Sequence, residues 1–176
     1  CSDVACAFAE WRLGIHTNND GDMAVANTIV AVQAGAEMVQ GTINGVGGRY
    51  GNANLCSLIP VLQMKCGLTC VPEPADVRLR QLTKLSSYFA EVANMKPCNG
   101  QPFVGNSAFA HKGGVHVSTI NRCSSLYEHM EPELVGNGQR ILVTELGGRN
   151  NIVSLARRFG FHLDKDEPVV KGLFNE

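Results

Sequence analysis

The sequence has no excess of charge of either sign: Lys and Arg number 15 against 16 Asp and Glu, a formal net charge of -1. A nucleic-acid or anionic-membrane partner therefore has no electrostatic footprint here. No apolar run approaches the ~20 residues that span a bilayer. The opening stretch, CSDVACAFAEWR, carries acids and no basic segment ahead of its short apolar run, so no signal peptide is expected. It also begins with Cys and not Met, which reads as a chain cut out of something longer. Low-complexity segments are absent. There is no Cys-x-x-Cys pair and no Cys/His cluster with zinc-finger spacing, although seven cysteines are present: Cys1, Cys6, Cys56, Cys66, Cys70, Cys98 and Cys123. That odd count, mostly beside apolar residues, predicts reduced and largely buried cysteines in a cytoplasmic protein. CGLTC at 66–70 is either a redox pair or a helix end followed by a turn, and the second is preferred.

What remains is an ordinary globular composition, 44% hydrophobic and 18% charged over 176 residues, enough for one domain or part of a larger one. WRLGIH (11–16) reads as a short buried strand. AVANTIVAVQAGA (24–36) is Ala-rich with a broad apolar face and Gly35 placed to stop it, a buried helix. EMVQGTI (37–43) reads as a second strand. NGVGGRYGN (44–52) has four glycines in nine residues and must be a loop. ANLCSLIPVLQMKCG (53–67) is helical in pattern, with Pro60 as a kink and Gly67 as the stop. This order is the grammar of a parallel α/β protein, whose chemistry lies beyond the C-terminal ends of its strands. Two strands close no sheet, so both edges would stand open unless the chain pairs with further sequence. Pro72 and Pro74 mark a break. Asp76 suits an N-cap, and Leu79, Leu82, Leu85, Phe89 and Val92 form an amphipathic stripe reaching about Asn94. Residues 142–160 end in a helix with a basic last turn and Gly160 as its stop, and LDKDEPVVKGLFNE opens a further element. Gly-Gly-Arg recurs at 47–49 and 147–149, but with flanks so different this is not a repeat.

His16 stands at the end of the first strand. Asn18 lies two residues on, so in extended chain it points to the same side. Imidazole nitrogen with amide oxygen suits a divalent ion that keeps positions open for substrate. Asn19 and Asp20 read equally as Asx-turn residues. The glycine loop either lets backbone N–H groups approach an anion or is a tight strand-to-helix turn. It has no Walker or dinucleotide pattern. Asn52 either caps the next helix or places its amide oxygen on a metal. AHKGGVHVS holds His111 and His116, and His116 follows two glycines that allow close approach of a ligand. Histidine starts with the pKa a general base needs. Tyr127 is a phenolic acid or an ordinary half-buried tyrosine.

Taken together, GIHTNNDGDMAVANTIVAVQAGAEMVQGTINGVGGRYGNANL resembles the last two strand–helix units of the metal-dependent aldol/Claisen TIM barrels. This family includes 2-isopropylmalate synthase, homocitrate synthase, citramalate synthase and hydroxymethylglutaryl-CoA lyase. SAFAHKGGVHVSTI, YEHMEPELVGN and RILVTELGGRNNI resemble the segment after the barrel, in the citramalate synthase group. The resemblance implies an α/β chain: the C-terminal part of a (β/α)8 barrel over residues 1–70, then a mostly helical post-barrel subdomain over 71–176, incomplete at its end. It implies condensation of acetyl-CoA with pyruvate to citramalate on a divalent metal (Mg²⁺, Mn²⁺ or Zn²⁺), with a neighbouring subunit in a homodimer. The alternatives are the 2-isopropylmalate synthase reaction and a non-catalytic remnant. By resemblance His16 is the first histidine of the metal motif and Asn52 the asparagine at or near the metal. His116 takes part in acid/base chemistry and Tyr127 in catalysis. Asn18 stands where the family has its second metal histidine, and Gly48 where it has glutamate.

Overall fold

The computed structural model describes residues 2–111, 128–142 and 148–175. A short helix α1 (Ser2–Ala7) precedes strand β1 (Gly14–His16), helix α2 (Ala24–Gln33) and strand β2 (Met38–Gln40). The two strands pair in parallel, Gly14 with Met38, Ile15 with Val39 and His16 with Gln40. A parallel pair needs a crossover, and α2 supplies it. Gly35, at φ +103°, ends that helix as expected, because the left-handed region costs glycine nothing. Both strands are shorter than the apolar runs that announced them. Residues 11–13 lie outside the ladder, although the Leu13 carbonyl accepts from the Glu37 and Met38 N–H groups at 2.8 and 3.1 Å, and the stretch expected to be strand through 43 instead turns into a 3₁₀ helix (Ile43–Gly45). A strand is defined by its ladder, and neither outer edge of this pair is occupied among the described residues.

Helix α3 (Leu55–Pro60) runs on into a π-helical turn, Val61–Lys65, closed by a bond from Cys66 N–H to the Val61 carbonyl at 2.9 Å. Pro60 therefore changes the winding and does not simply bend the axis, since the proline has no N–H to continue the α ladder. Gly67, at φ +68°, stops it. α3 is shared by two cores. Leu58 and Leu62 pack with Ala24 and Ala53, backed by Ile29, Val32 and Val39 of the parallel unit. Cys56 packs instead with Leu82, Phe103, Val104, Phe109 and Val135 of the following region.

That region does not begin as one helix. α4 (Ala75–Leu79) and α5 (Leu82–Val92) are separated at Arg80 and Gln81. Asp76 is not the cap: the cap position is Pro74, and the Glu73 carboxylate accepts from the Ala75 N–H at 3.0 Å. The expected stripe is also displaced. Leu79 and Leu82 are buried, but Leu85 and Val92 are exposed, and Ser86 and Ala90 take the inward positions. A second parallel pair joins β3 (Ala110–His111) to β4 (Arg140–Ile141), after a 3₁₀ turn at Pro132–Val135. Helix α6 (Arg149–Arg158), stopped at Gly160, and helix α7 (Pro168–Asn175) complete the described chain. The cysteine expectation is corrected. Among the described residues only Cys56 is buried, while Cys6, Cys66, Cys70 and Cys98 are exposed free thiols. Cys66 closes the π turn, so CGLTC is a helix end followed by a turn. Cys1 and Cys123 lie outside the described residues.

Candidate functional site

Burial alternates along the first strand and its continuation. Leu13, Ile15, Thr17 and Asn19 are half-buried, while Gly14, His16 and Asn18 are exposed. A period of two puts the second set on one face. The inner face is tied to the helix behind it, with the Thr17 hydroxyl 2.8 Å from that of Thr28 and 3.0 Å from the Ala24 carbonyl. The outer face is left to His16 and Asn18, which therefore project to the same side, as the sequence requires. The parallel register sets Gln40 directly beside His16. No short-range pattern marks Gln40; only the pairing register reveals it.

The glycine loop folds back over the end of β1. Asn19 N–H donates to the Gly51 carbonyl at 2.8 Å and Ala53 N–H to the Thr17 carbonyl at 3.1 Å, so Asn18 and Asn52 face each other in an antiparallel bridge. The structure thus brings His16, Asn18 and Asn52 to one end of the β1–β2 pair. Asn52 does not cap the helix. Asn54 does, accepting from Cys56 N–H at 2.9 Å. The Asn52 amide nitrogen donates to the Val46 carbonyl at 3.3 Å, and no donor among the described residues reaches its Oδ1. The tight-turn reading accounts for two of the glycines. A side chain at Gly51, φ +88°, would put its Cβ 1.9 Å from the Gly45 oxygen, and one at Gly47 would lie 2.5 Å from the Asn52 amide. Gly48 has open space around it.

Asn19 is a turn residue, accepting from Ala24 N–H at 3.1 Å and donating to Asp22 at 3.2 Å. Asp20 does something the sequence did not reveal. It takes a two-pronged contact from Arg49, Nε to Oδ1 at 2.7 Å and Nη2 to Oδ2 at 2.8 Å. This pair joins the two strand-end loops across 29 residues. The Arg49 hydrogen bond holds the Asp20 carboxyl below the usual carboxylate range, and the same bond pushes the guanidinium up.

In the second region His111 Nε2 lies 3.1 Å from Glu128 Oε1, both side chains largely buried, and Glu128 also accepts from Gln139 Nε2 at 3.1 Å. His116 and Tyr127 lie outside the described residues. Among the described residues no cluster of three or more His, Cys, Asp or Glu side chains could hold a metal ion. The sequence-predicted donors at the strand ends are one imidazole and two amides, with the Gln40 amide beside them.

Residues 3–88 match the family model described as HMGL-like, and residues 103–173 match the one described as homocitrate synthase post-HMGL domain-like. The chain is 48% identical over 169 residues to an (R)-citramalate synthase of Aquifex aeolicus, covering 96% of this chain and 31% of that protein. It is 54% identical over 157 residues to one from Geobacter sulfurreducens, covering 89% of this chain and 29% of that protein. This chain belongs to the citramalate synthase and 2-isopropylmalate synthase family. A probable 2-isopropylmalate synthase of Archaeoglobus fulgidus is a more distant member, 33% identical over 157 residues, 88% of this chain and 30% of that protein. The chain thus spans about a third of the length of these family members. The HMGL-like match implies a TIM-barrel-type fold, of which the parallel β1–α2–β2–α3 succession has the grammar. No helix among the described residues is long and apolar enough to cross a membrane.

Proposed function

We propose that this chain is part of the catalytic region of a citramalate synthase, which condenses acetyl-CoA with pyruvate and releases CoA and citramalate. In this reading residues 1–70 are the last two βα units of the barrel and residues 71–176 a mostly helical post-barrel subdomain. The observation that carries it is the gradient of identity. Citramalate synthases stand at 48% and 54% over most of the chain, and the 2-isopropylmalate synthase at 33%. The 2-isopropylmalate reaction, with the larger 2-ketoisovalerate, is the second reading within the family.

The strand-end donors fit a divalent cation completed by donors from outside this chain. His16 offers a nitrogen, and Asn18 and Asn52 offer neutral oxygens. Such a set suits Mg²⁺ or Mn²⁺ better than Zn²⁺, which favours nitrogen and sulfur. A cation held there would supply Lewis-acid polarisation of the keto-acid carbonyl. The alternating face of β1 holds His16 and Asn18 toward the bound keto acid while Thr17 anchors the strand to α2. The Asn18–Asn52 bridge fixes the spacing of the two amides. His116, as the acid/base residue of the family, would take a proton from the acetyl methyl, and the new C–C bond forms at the keto carbon as the C=O π pair moves onto oxygen, which then takes up a proton. Water then breaks the thioester, and by the family resemblance His116 and Tyr127 would both reach this centre from the neighbouring subunit of a homodimer.

The test uses the full-length protein, its Asn18→His variant and CoA release from acetyl-CoA with pyruvate or 2-ketoisovalerate in Mn²⁺. Pyruvate-dependent release, tightened in its Mn²⁺ requirement by Asn18→His, is expected. Activity with 2-ketoisovalerate alone would move the assignment to the second reading. Silence with both keto acids in both proteins would leave a non-catalytic remnant.

A further inference from the structure

The side chain of Asn44 ties the strand-end loop to the second region. Asn44 sits at φ +60°, ψ +13°, a left-handed conformation that asparagine and glycine tolerate best. Its Oδ1 accepts from Ser86 Oγ at 2.6 Å, from Gln101 Nε2 at 3.0 Å and from the Cys56 thiol at 3.5 Å, and its Nδ2 donates to the Ser86 carbonyl at 2.9 Å. Cys56, Ser86 and Gln101 are 0%, 7% and 9% exposed, so these bonds are made away from water. The partners come from three separate segments: α3, α5 and the link after α5. Burial pushes the Cys56 thiol up and keeps it a protonated donor.

The next residue carries the connection forward. The Gly45 carbonyl receives the Asn52 N–H at 3.0 Å, and Gly51 crosses it so closely that no side chain fits there. Fixing Asn44 therefore fixes Gly45, and Gly45 fixes Asn52 against Asn18. We propose that Asn44 is a positioning residue for the strand-end site, locking the loop that bears Asn52 to α5 and Gln101 so that the second region sets the geometry of the first. The inward position of Ser86 belongs to this lock, since its hydroxyl and its carbonyl both bond to Asn44. This proposal deepens the functional reading above and rests on it for its kinetic consequence.

The decisive variants are remote. Ser86 and Gln101 make no hydrogen bond to His16, Asn18 or Asn52, so Ser86→Ala and Gln101→Leu can reach the site only through Asn44. In the full-length protein, Ser86→Ala is expected to raise KM for pyruvate and the Kd for Mn²⁺ by about threefold to tenfold with kcat little changed. Amide exchange at residues 45 and 51–54 should quicken by about tenfold. Asn44→Gly, which keeps the backbone conformation and loses the amide, should do the same more strongly, and Asn44→Asp should recover part of the loss by keeping the acceptor oxygen. A lowered Tm with KM, Mn²⁺ affinity and loop exchange all at their natural values in Ser86→Ala and Gln101→Leu would overturn the proposal and leave Asn44 a packing residue. The exchange arm needs no activity. If the natural protein condenses neither keto acid, the functional reading fails, while faster loop exchange in Ser86→Ala still upholds the lock and unchanged exchange removes it.

Discussion

Replacing Gly51 by alanine puts the geometry of the strand-end loop under direct strain. The added Cβ would sit 1.9 Å from the Gly45 oxygen, where ordinary contact begins at 3.4 Å, so one chain or the other must move by more than an ångström. The backbone at residue 51 has φ +88°, and holding alanine in left-handed space costs about 1–2 kcal/mol. The displaced Gly45 carbonyl is also the acceptor for Asn52 N–H, and losing such a bond costs about 1 kcal/mol. Local destabilisation is therefore about 2–3 kcal/mol, enough to shift Tm by several degrees. The functional effect is larger, because Asn52 follows at once and a displacement of about 1 Å at a reacting centre costs about a hundredfold. The measurement pairs thermal unfolding with thiol-detected CoA release on full-length Gly51→Ala, using Gly48→Ala as the control, since Gly48 has nothing within 4 Å and no left-handed φ. Gly48→Ala should behave as the natural protein. Natural kcat/KM in Gly51→Ala would refute the inference that the Gly45–Gly51 crossing sets the site.

Leu58→Ala removes a side chain 1% exposed at the centre of the first core, and a loss of about 2–5 kcal/mol in urea unfolding is expected; a loss below 1 kcal/mol would mean that core collapses freely around the gap. In Arg49→Ala the Asp20 carboxyl should titrate at a higher pH, followed by NMR, because the guanidinium that stabilises its anion is gone. The sign for stability follows. The folded carboxyl is held below its unfolded value, so the contribution of the pair is present above the ordinary Asp range near pH 4 and fades as pH falls through the lowered value. Loop melting in the variant at neutral pH that equals the natural protein's melting only in acid would agree; an unchanged Asp20 titration would not.

The sequence made the parallel grammar legible because glycine and periodicity report local conformation. Gly35, Gly67 and Gly160 each ended a helix where a left-handed residue was needed, and the step of two from His16 to Asn18 correctly put both on one face. What escaped was set by contacts between distant residues. Gln40 enters only through register, Arg49 only through its reach to Asp20, and Asn44 only through α5, which carries no local mark of it. The stripe on α5 failed at Leu85 and Val92 for the same reason: hydrophobic spacing ranks faces by apolarity, while Ser86 was drawn inward by bonds to a residue 42 positions earlier. The choice between Asn52 and Asn54 as helix cap lay within two residues, finer than helix boundaries can be read from sequence.

The alternation along β1 separates two kinds of selection. Leu13, Ile15 and Thr17 are half-buried, with Thr17 bonded to the helix behind, whereas Gly14, His16 and Asn18 are exposed. A substitution at an outward position changes the chemistry offered at the strand end while leaving the folding free energy nearly where it was, so the threshold that purges most mutations does not act there. This is how an asparagine can occupy position 18, where the resemblance leads one to expect histidine, in a strand whose inward residues remain half-buried. On this strand, the residues that offer chemistry and the residues that meet the helix layer alternate, so a change in one set need not disturb the other.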